Sequence, residues 1–205
     1  VVLPLLFVLF TLPGITCAAS PAGSLLERLQ ETSSRITSFS CEFTQEKTMA
    51  LFREPVRFNG QLYVEKPDKL RWEFISPIPS VLLLNGTNGA RCDERMVPEE
   101  FSLKTDPVMR VVAQQLWLWL GGDYSSLAKH YIVQEQGPAT LVVSPSDPAS
   151  GQYLSSVTMV FNETSLQPEK VIINEPGGNV TSIVFNEPKM NINLASRLFS
   201  DCSND

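Results

Sequence analysis

The sequence predicts a mainly β fold, one large and strongly curved antiparallel sheet or incomplete barrel with few helices. Three observations predict it. Segments alternating between apolar and polar residues recur at even spacing, Gly- and Pro-bearing turns separate them, and the run from Phe58 to Gly86 carries an unusually apolar, aromatic face. In that run Phe58, Leu62 and Val64 share one side of a first strand, and Leu70, Trp72 and Phe74 share one side of a second. Gln61, Glu65, Arg71 and Glu73 point the other way. Lys66-Pro67-Asp68-Lys69 is a turn, so the two apolar faces land on one side of the sheet. A third strand, Val81 to Leu84, ends at Asn85-Gly86. Such a face must be buried against another layer, against the sheet's own curvature, or against a ligand.

The remaining elements follow in order. Ser24 and Glu27 form a capping box at the start of a short helix whose apolar stripe is Leu25, Leu26, Leu29 and Ile36. Phe39 to Gln45 alternates as a strand, Thr48 to Val56 is a connection, and a fourth strand after the opening three runs from about Ala90 to Met96. Asp106-Pro107 and Gly121-Gly122 bracket a helix from Pro107 to Leu120. Its Val108, Val111, Val112, Leu116, Trp117, Trp119 and Leu120 cover more than one narrow stripe. It is either an ordinary core helix or a cover over something apolar. A short helix over Tyr124 to Lys129 precedes hairpins built from Tyr131–Gln136 with Ala139–Ser144, and Tyr153–Phe161 with Glu169–Asn174, and then a strand Val180–Asn186.

A chain of 205 residues suits one domain. The apolar run Val1 to Ile15, followed by Cys17-Ala18-Ala19, reads as a signal peptide over residues 1–19, leaving a single domain over 20–205. The alternative is lipidation of Cys17, although Gly14 and Thr16 stand where that signal has Leu and Ala or Gly. No later apolar run is long enough to span a bilayer, which predicts a soluble extracytoplasmic protein. A net charge of −6 with scattered Lys and Arg argues against nucleic acid. Of the cysteines after residue 19, Cys41 shares strand parity with Phe39 and Phe43 and reads as a buried small hydrophobe, which leaves Cys92 with Cys202 as the preferred pair. His130 stands alone, no two cysteines are closely spaced, and no nucleophile elbow, zinc-protease helix or phosphate loop is present. The acidic pairs Asp93-Glu94 and Glu99-Glu100 read as solvated charge in a polar connection. The expectation is a binding protein without catalytic residues, metal or cofactor.

Four motifs then carry a resemblance. Phe39-x-Cys41-x-Phe43-Thr44-Gln45, Gly60-x-Leu62-Tyr63-Val64-x-Lys66-Pro67, Leu70-Arg71-Trp72 with a following Pro77, and Ser80-Val81-Leu82-Leu83-Leu84-Asn85-Gly86 resemble, in order and spacing, the outer-membrane lipoprotein carrier family, the LolA-like proteins of Gram-negative bacteria. Phe185-x-x-Pro188-Lys189 followed by Phe199 is a weaker echo. The resemblance implies an unclosed antiparallel barrel whose concave apolar face is covered by helices acting as a lid. It also implies a periplasmic, monomeric, non-enzymatic carrier that takes lipoprotein acyl chains from an inner-membrane ABC transporter to an outer-membrane receptor. On that reading the cavity wall is Phe39, Phe43, Phe58, Leu62, Val64, Leu70, Trp72, Phe74, Leu82 and Leu84, and Val112, Leu116 and Trp119 belong to the lid. Lys66 stands where the family's carrier proper has an Arg that helps hold the lid shut. Lys lacks the planar fork of Arg, so a latch there would be looser or differently built. The chain also stops soon after Phe199, without the carrier's longer C-terminal extension. These departures admit a different lipid or glycolipid as cargo. A receptor-like lipoprotein of the same fold, or a sensor domain that binds no lipid, are the further alternatives.

Overall fold

In a computed structural model covering residues 23–50 and 52–203, with the side chains of Leu118, Trp119 and Ala149 outside the description, eleven strands form one sheet. The expected signal segment 1–19 and Cys17 lie outside the described residues. The strands are β1 (Ser38–Thr48), β2 (Val56–Glu65), β3 (Lys69–Ser76), β4 (Ser80–Asn85), β5 (Asn88–Cys92), β6 (Pro98–Ser102), β7 (Tyr131–Glu135), β8 (Thr140–Pro145), β9 (Ser156–Phe161), β10 (Pro168–Asn174) and β11 (Val180–Met190). Their order is β6-β5-β4-β3-β2-β1-β11-β10-β9-β8-β7, every neighbour antiparallel. The edges β6 and β7 do not pair, so the barrel is unclosed, as the spacing of the strands predicts.

The helices are α1 (Leu25–Ser34), α2 (Pro107–Leu120) and the single turns α3 (Leu127–His130) and α4 (Pro148–Gly151). The capping box at Ser24 and Glu27 is formed, with Ser24 Oγ accepting from Glu27 N and Glu27 Oε2 accepting from Ser24 N. Asp106 caps α2 by accepting from Met109 N at 2.9 Å. The main core lies on the concave side, where α1 and α2 pack on the sheet.

Two expectations need correction. The fourth strand ends at Cys92 rather than near Met96, and residues 98–102 form the edge strand β6 instead of a polar connection. Pro98 and the charged Glu99 and Glu100 are tolerated there because an edge strand leaves one backbone side to water, and Glu99 accepts from Arg91 across the pair at 2.9 Å. Arg71 and Glu73 do point away from the concave face, but not into solvent. The C-terminal segment, with a 3-10 turn at Ser196–Phe199, folds over this convex side and buries Arg71 completely and Glu73 to 7% exposure. A second, smaller core forms there from Val81, Leu83, Cys92 and Cys202. The Cys92–Cys202 disulfide, with Cα atoms 6.1 Å apart, ties that segment to β5 across 110 residues of chain. Reducing it, or the change Cys202→Ser, should cost about 2–4 kcal/mol of stability, because the unfolded chain regains the entropy of a long loop. Identical denaturant midpoints with and without reductant would show that the bond adds nothing.

Candidate functional site

Strand register brings all ten expected wall residues onto the concave face. Leu62, Trp72 and Leu82 lie opposite one another across β2, β3 and β4, and Val64, Leu70 and Leu84 form the next row. On β1, Phe39 faces Val64, Cys41 faces Leu62 and Phe43 faces Gly60. Gly60 has a steric reason: a Cβ there would lie 2.5 Å from the Phe43 ring and 2.0 Å from the Glu73 carbonyl oxygen. The vacated space lets Phe43 lie edge-on to both Trp72 and Phe74, with centroids 5.4 Å away in each case. Phe39, Phe43, Leu62, Val64, Leu70, Trp72 and Leu84 are buried, while Phe58, Phe74 and Leu82 are half-buried. Burial pushes the free Cys41 thiol up to about 12, so it behaves as the apolar residue its strand parity predicts.

Two helices cover this face, and they are held in different ways. α1 is pinned at both ends by charges that complement its dipole. The Glu135 carboxylate of β7 accepts from Leu25 N at 3.0 Å and Leu26 N at 3.1 Å, and at the other end the Lys66 ammonium donates to the Ser33 carbonyl and to Ser33 Oγ, both at 2.8 Å. α1 thus straps the β7 edge to the β2–β3 turn. By contrast, α2 packs Met109, Ala113, Leu116 and Leu120 inward, and its hydrogen-bonding side chain Arg110 reaches only its own leader at the Leu103 and Lys104 carbonyls. Among the described residues no side-chain hydrogen bond or ion pair ties α2 to the sheet.

Of the expected lid residues, Leu116 faces the sheet, Val112 sits on the outer flank with Val108 and Val111, and the Trp119 side chain lies outside the described residues. Met109 and Ala113 also face inward, beyond the residues the sequence singles out, although their spacing with Leu116 and Leu120, four, three and four residues, is the helical signal that could have found them.

Among the described residues a small cavity of about 30 Å³ lies between Leu29, Lys66, Leu120 and Gly122. Desolvation there lowers the Lys66 ammonium below its ordinary pKa. Lys66 therefore latches α1 rather than α2, with Gly122, at φ +74°, wedged beside the pair. A Cβ on Gly122 would meet Ser33 Oγ at 1.7 Å. Lys66→Ala, and Gly122→Ala by a different route, should loosen α1 by about 1–2 kcal/mol, read as roughly tenfold faster amide exchange over residues 25–34. Unchanged exchange there in both variants would place the latch elsewhere.

One polar atom in the wall stands apart. Trp72 Nε1 is buried and has no hydrogen-bond acceptor among the described residues. Among those residues no group of His, Cys, Asp and Glu is arranged to hold a metal, and no helix is long and apolar enough to cross a membrane.

Comparison with known proteins adds to this geometry. A family model described as "Outer membrane lipoprotein carrier protein LolA" matches residues 34–202. A curated "Outer-membrane lipoprotein carrier protein" from Chromohalobacter salexigens is 23% identical over 189 residues, covering 91% of this chain and 85% of that protein. Among solved structures, an uncharacterised conserved protein from Thermus thermophilus aligns at TM-score 0.51 and 11% identity, covering 88% of this chain and 93% of that one. The MucA/MucB complex from Pseudomonas aeruginosa aligns at TM-score 0.50 and 15% identity, covering 85% of this chain but 59% of the neighbour. At these identities the two structures show a shared fold.

Proposed function

The chain belongs to the outer membrane lipoprotein carrier family LolA, and from that premise we propose that it is a periplasmic carrier of lipoprotein acyl chains, working between an inner-membrane transporter and an outer-membrane receptor. One observation carries the reading: a continuous apolar wall is covered by a helix that, among the described residues, no side-chain hydrogen bond or ion pair ties to the sheet. Each methylene removed from water contributes about 0.8 kcal/mol, so an acyl chain gains most of its binding energy from surface alone. A guest that displaces α2 from the apolar cluster it shares with the wall substitutes one set of apolar contacts for another. The exchange leaves net affinity intermediate, as a shuttle that must release its load requires. The strapped α1 keeps the two sides of the open barrel in register meanwhile. A monomer suffices for this cycle.

A shuttle for another acylated lipid is the second reading, favoured by the Lys66 latch, which among the described residues bonds Ser33 alone. Mass spectrometry of lipid extracted from the protein purified from its own host tests both. Lipoprotein-type acyl chains support the first reading and a different acylated lipid the second. A protein without bound lipid, whose α2 amides stay as protected as the sheet when lipid is added, would make the domain a closed structural unit and end both.

A further inference from the structure

Resting on the carrier reading, we infer that Trp72 is a specificity-determining residue whose indole N–H donates a hydrogen bond to the carbonyl oxygen at the head of a bound acyl chain. The argument begins with the orphaned donor. An indole nitrogen has a proton to give and no lone pair to accept with, and burying it unpaired is costly. Trp72 is 9% exposed and its Nε1 has no acceptor among the described residues. Local structure explains why. Its in-register neighbours Leu62 and Leu82 are hydrocarbon, and the carbonyls of β2, β3 and β4 take part in the ladder. The edge-on Phe43 ring offers at most a π face, a much weaker acceptor than a carbonyl.

Position fits the same role. Trp72 lies one strand step, about 7 Å, inward from Phe74 at the half-buried margin of the face, while Leu70, one step further, is fully buried. An acyl chain entering at that margin would set its carbonyl beside the indole and run on over Leu70 and Leu84. An alkyl ether keeps only an oxygen within the chain and lacks the carbonyl oxygen that projects sideways toward Nε1. The donor thus distinguishes esters and amides from alkyl ethers of the same length and headgroup.

The test compares palmitoyl-lysophosphatidylcholine with its hexadecyl ether counterpart, below their micelle concentrations, on wild type and Trp72→Phe. Wild type should bind the ester about tenfold more tightly, the worth of one hydrogen bond in an apolar site, and Trp72→Phe should bind both equally. Repeating the comparison with a dipalmitoylglyceryl-cysteine lipopeptide and its dialkyl ether tells which headgroup reaches the site, and a preference in either pair supports the inference. Equal affinities for ester and ether in wild type in both pairs, or a preference that survives Trp72→Phe, would overturn it while leaving the carrier reading intact. Failure of wild type to bind any of these lipids would overturn both. Should Trp72→Phe not fold, a protein with Trp117→Phe and Trp119→Phe leaves one indole, whose N–H proton resonance should move downfield with ester and stay put with ether. An unmoved resonance with bound ester rejects the hydrogen bond.

Discussion

Arg71→Ala should destabilise the protein by about 3–5 kcal/mol, the usual cost of removing one partner from a buried ion pair. Arg71 has no exposed surface, and its guanidinium makes four hydrogen bonds, to one segment of chain and one carboxylate. Nε donates to Glu73 Oε2 at 2.8 Å, Nη1 to the carbonyls of Leu198 at 3.3 Å and Asp201 at 2.5 Å, and Nη2 to the carbonyl of Cys202 at 3.1 Å. Truncation removes this partner from Glu73 and from the C-terminal carbonyls in a desolvated place. Arg71→Lys should recover little, because a single ammonium cannot reach four acceptors spread around a planar fork. Denaturant unfolding under oxidising conditions measures the loss, and a cost under about 1 kcal/mol for Arg71→Ala would mean the convex-side lock is dispensable. Strand β3 carries Arg71 on one side and Leu70 and Trp72 on the other. The lock therefore sits directly behind the apolar wall.

Leu70→Glu should abolish lipid binding, by about a hundredfold or more, and leave the sheet folded with α2 lifted away. Leu70 is fully buried between Val64 and Leu84, so a carboxylate there is unfavourable by several kcal/mol. The easiest relief is the one that breaks the fewest polar bonds. Releasing α2 gives up the apolar burial of Met109, Ala113, Leu116 and Leu120 and, among the described residues, no side-chain hydrogen bond to the sheet, whereas opening the sheet breaks its ladder. The glutamate then reaches water, and an acyl chain meets a charge where it needs hydrocarbon. Hydrogen exchange separates the outcomes: rapid exchange confined to residues 107–120 is expected, while loss of protection throughout β2, β3 and β4 would make α2 part of the rigid core and sink the cover role.

Alternation along Phe58 to Phe74 determined which side chains share the concave face, because a strand's period of two leaves no freedom once one residue is placed. Ser24 with Glu27, and Asp106 with Pro107, likewise set the helix starts, since those caps act within one turn of chain. The pairing of Cys92 with Cys202 followed from the strand parity of Cys41, but only the fold brings their Cα atoms to 6.1 Å. What lay beyond local pattern depended on contacts between residues far apart. Arg71 has the outward parity of a surface residue, and only the return of the chain over the convex face makes it the most buried cation of the described residues. Residues 98–102 became a strand because β5 offered an unpaired edge, not because Pro-Glu-Glu-Phe-Ser alternates. Lys66 met Ser33 of α1 instead of α2, and Glu135 met the N-terminus of the same helix, through separations no local spacing encodes. Strand and helix periods are properties of neighbours in sequence. Which charge meets which carbonyl, and which indole is left without one, depends on how the curved sheet brings its two ends together.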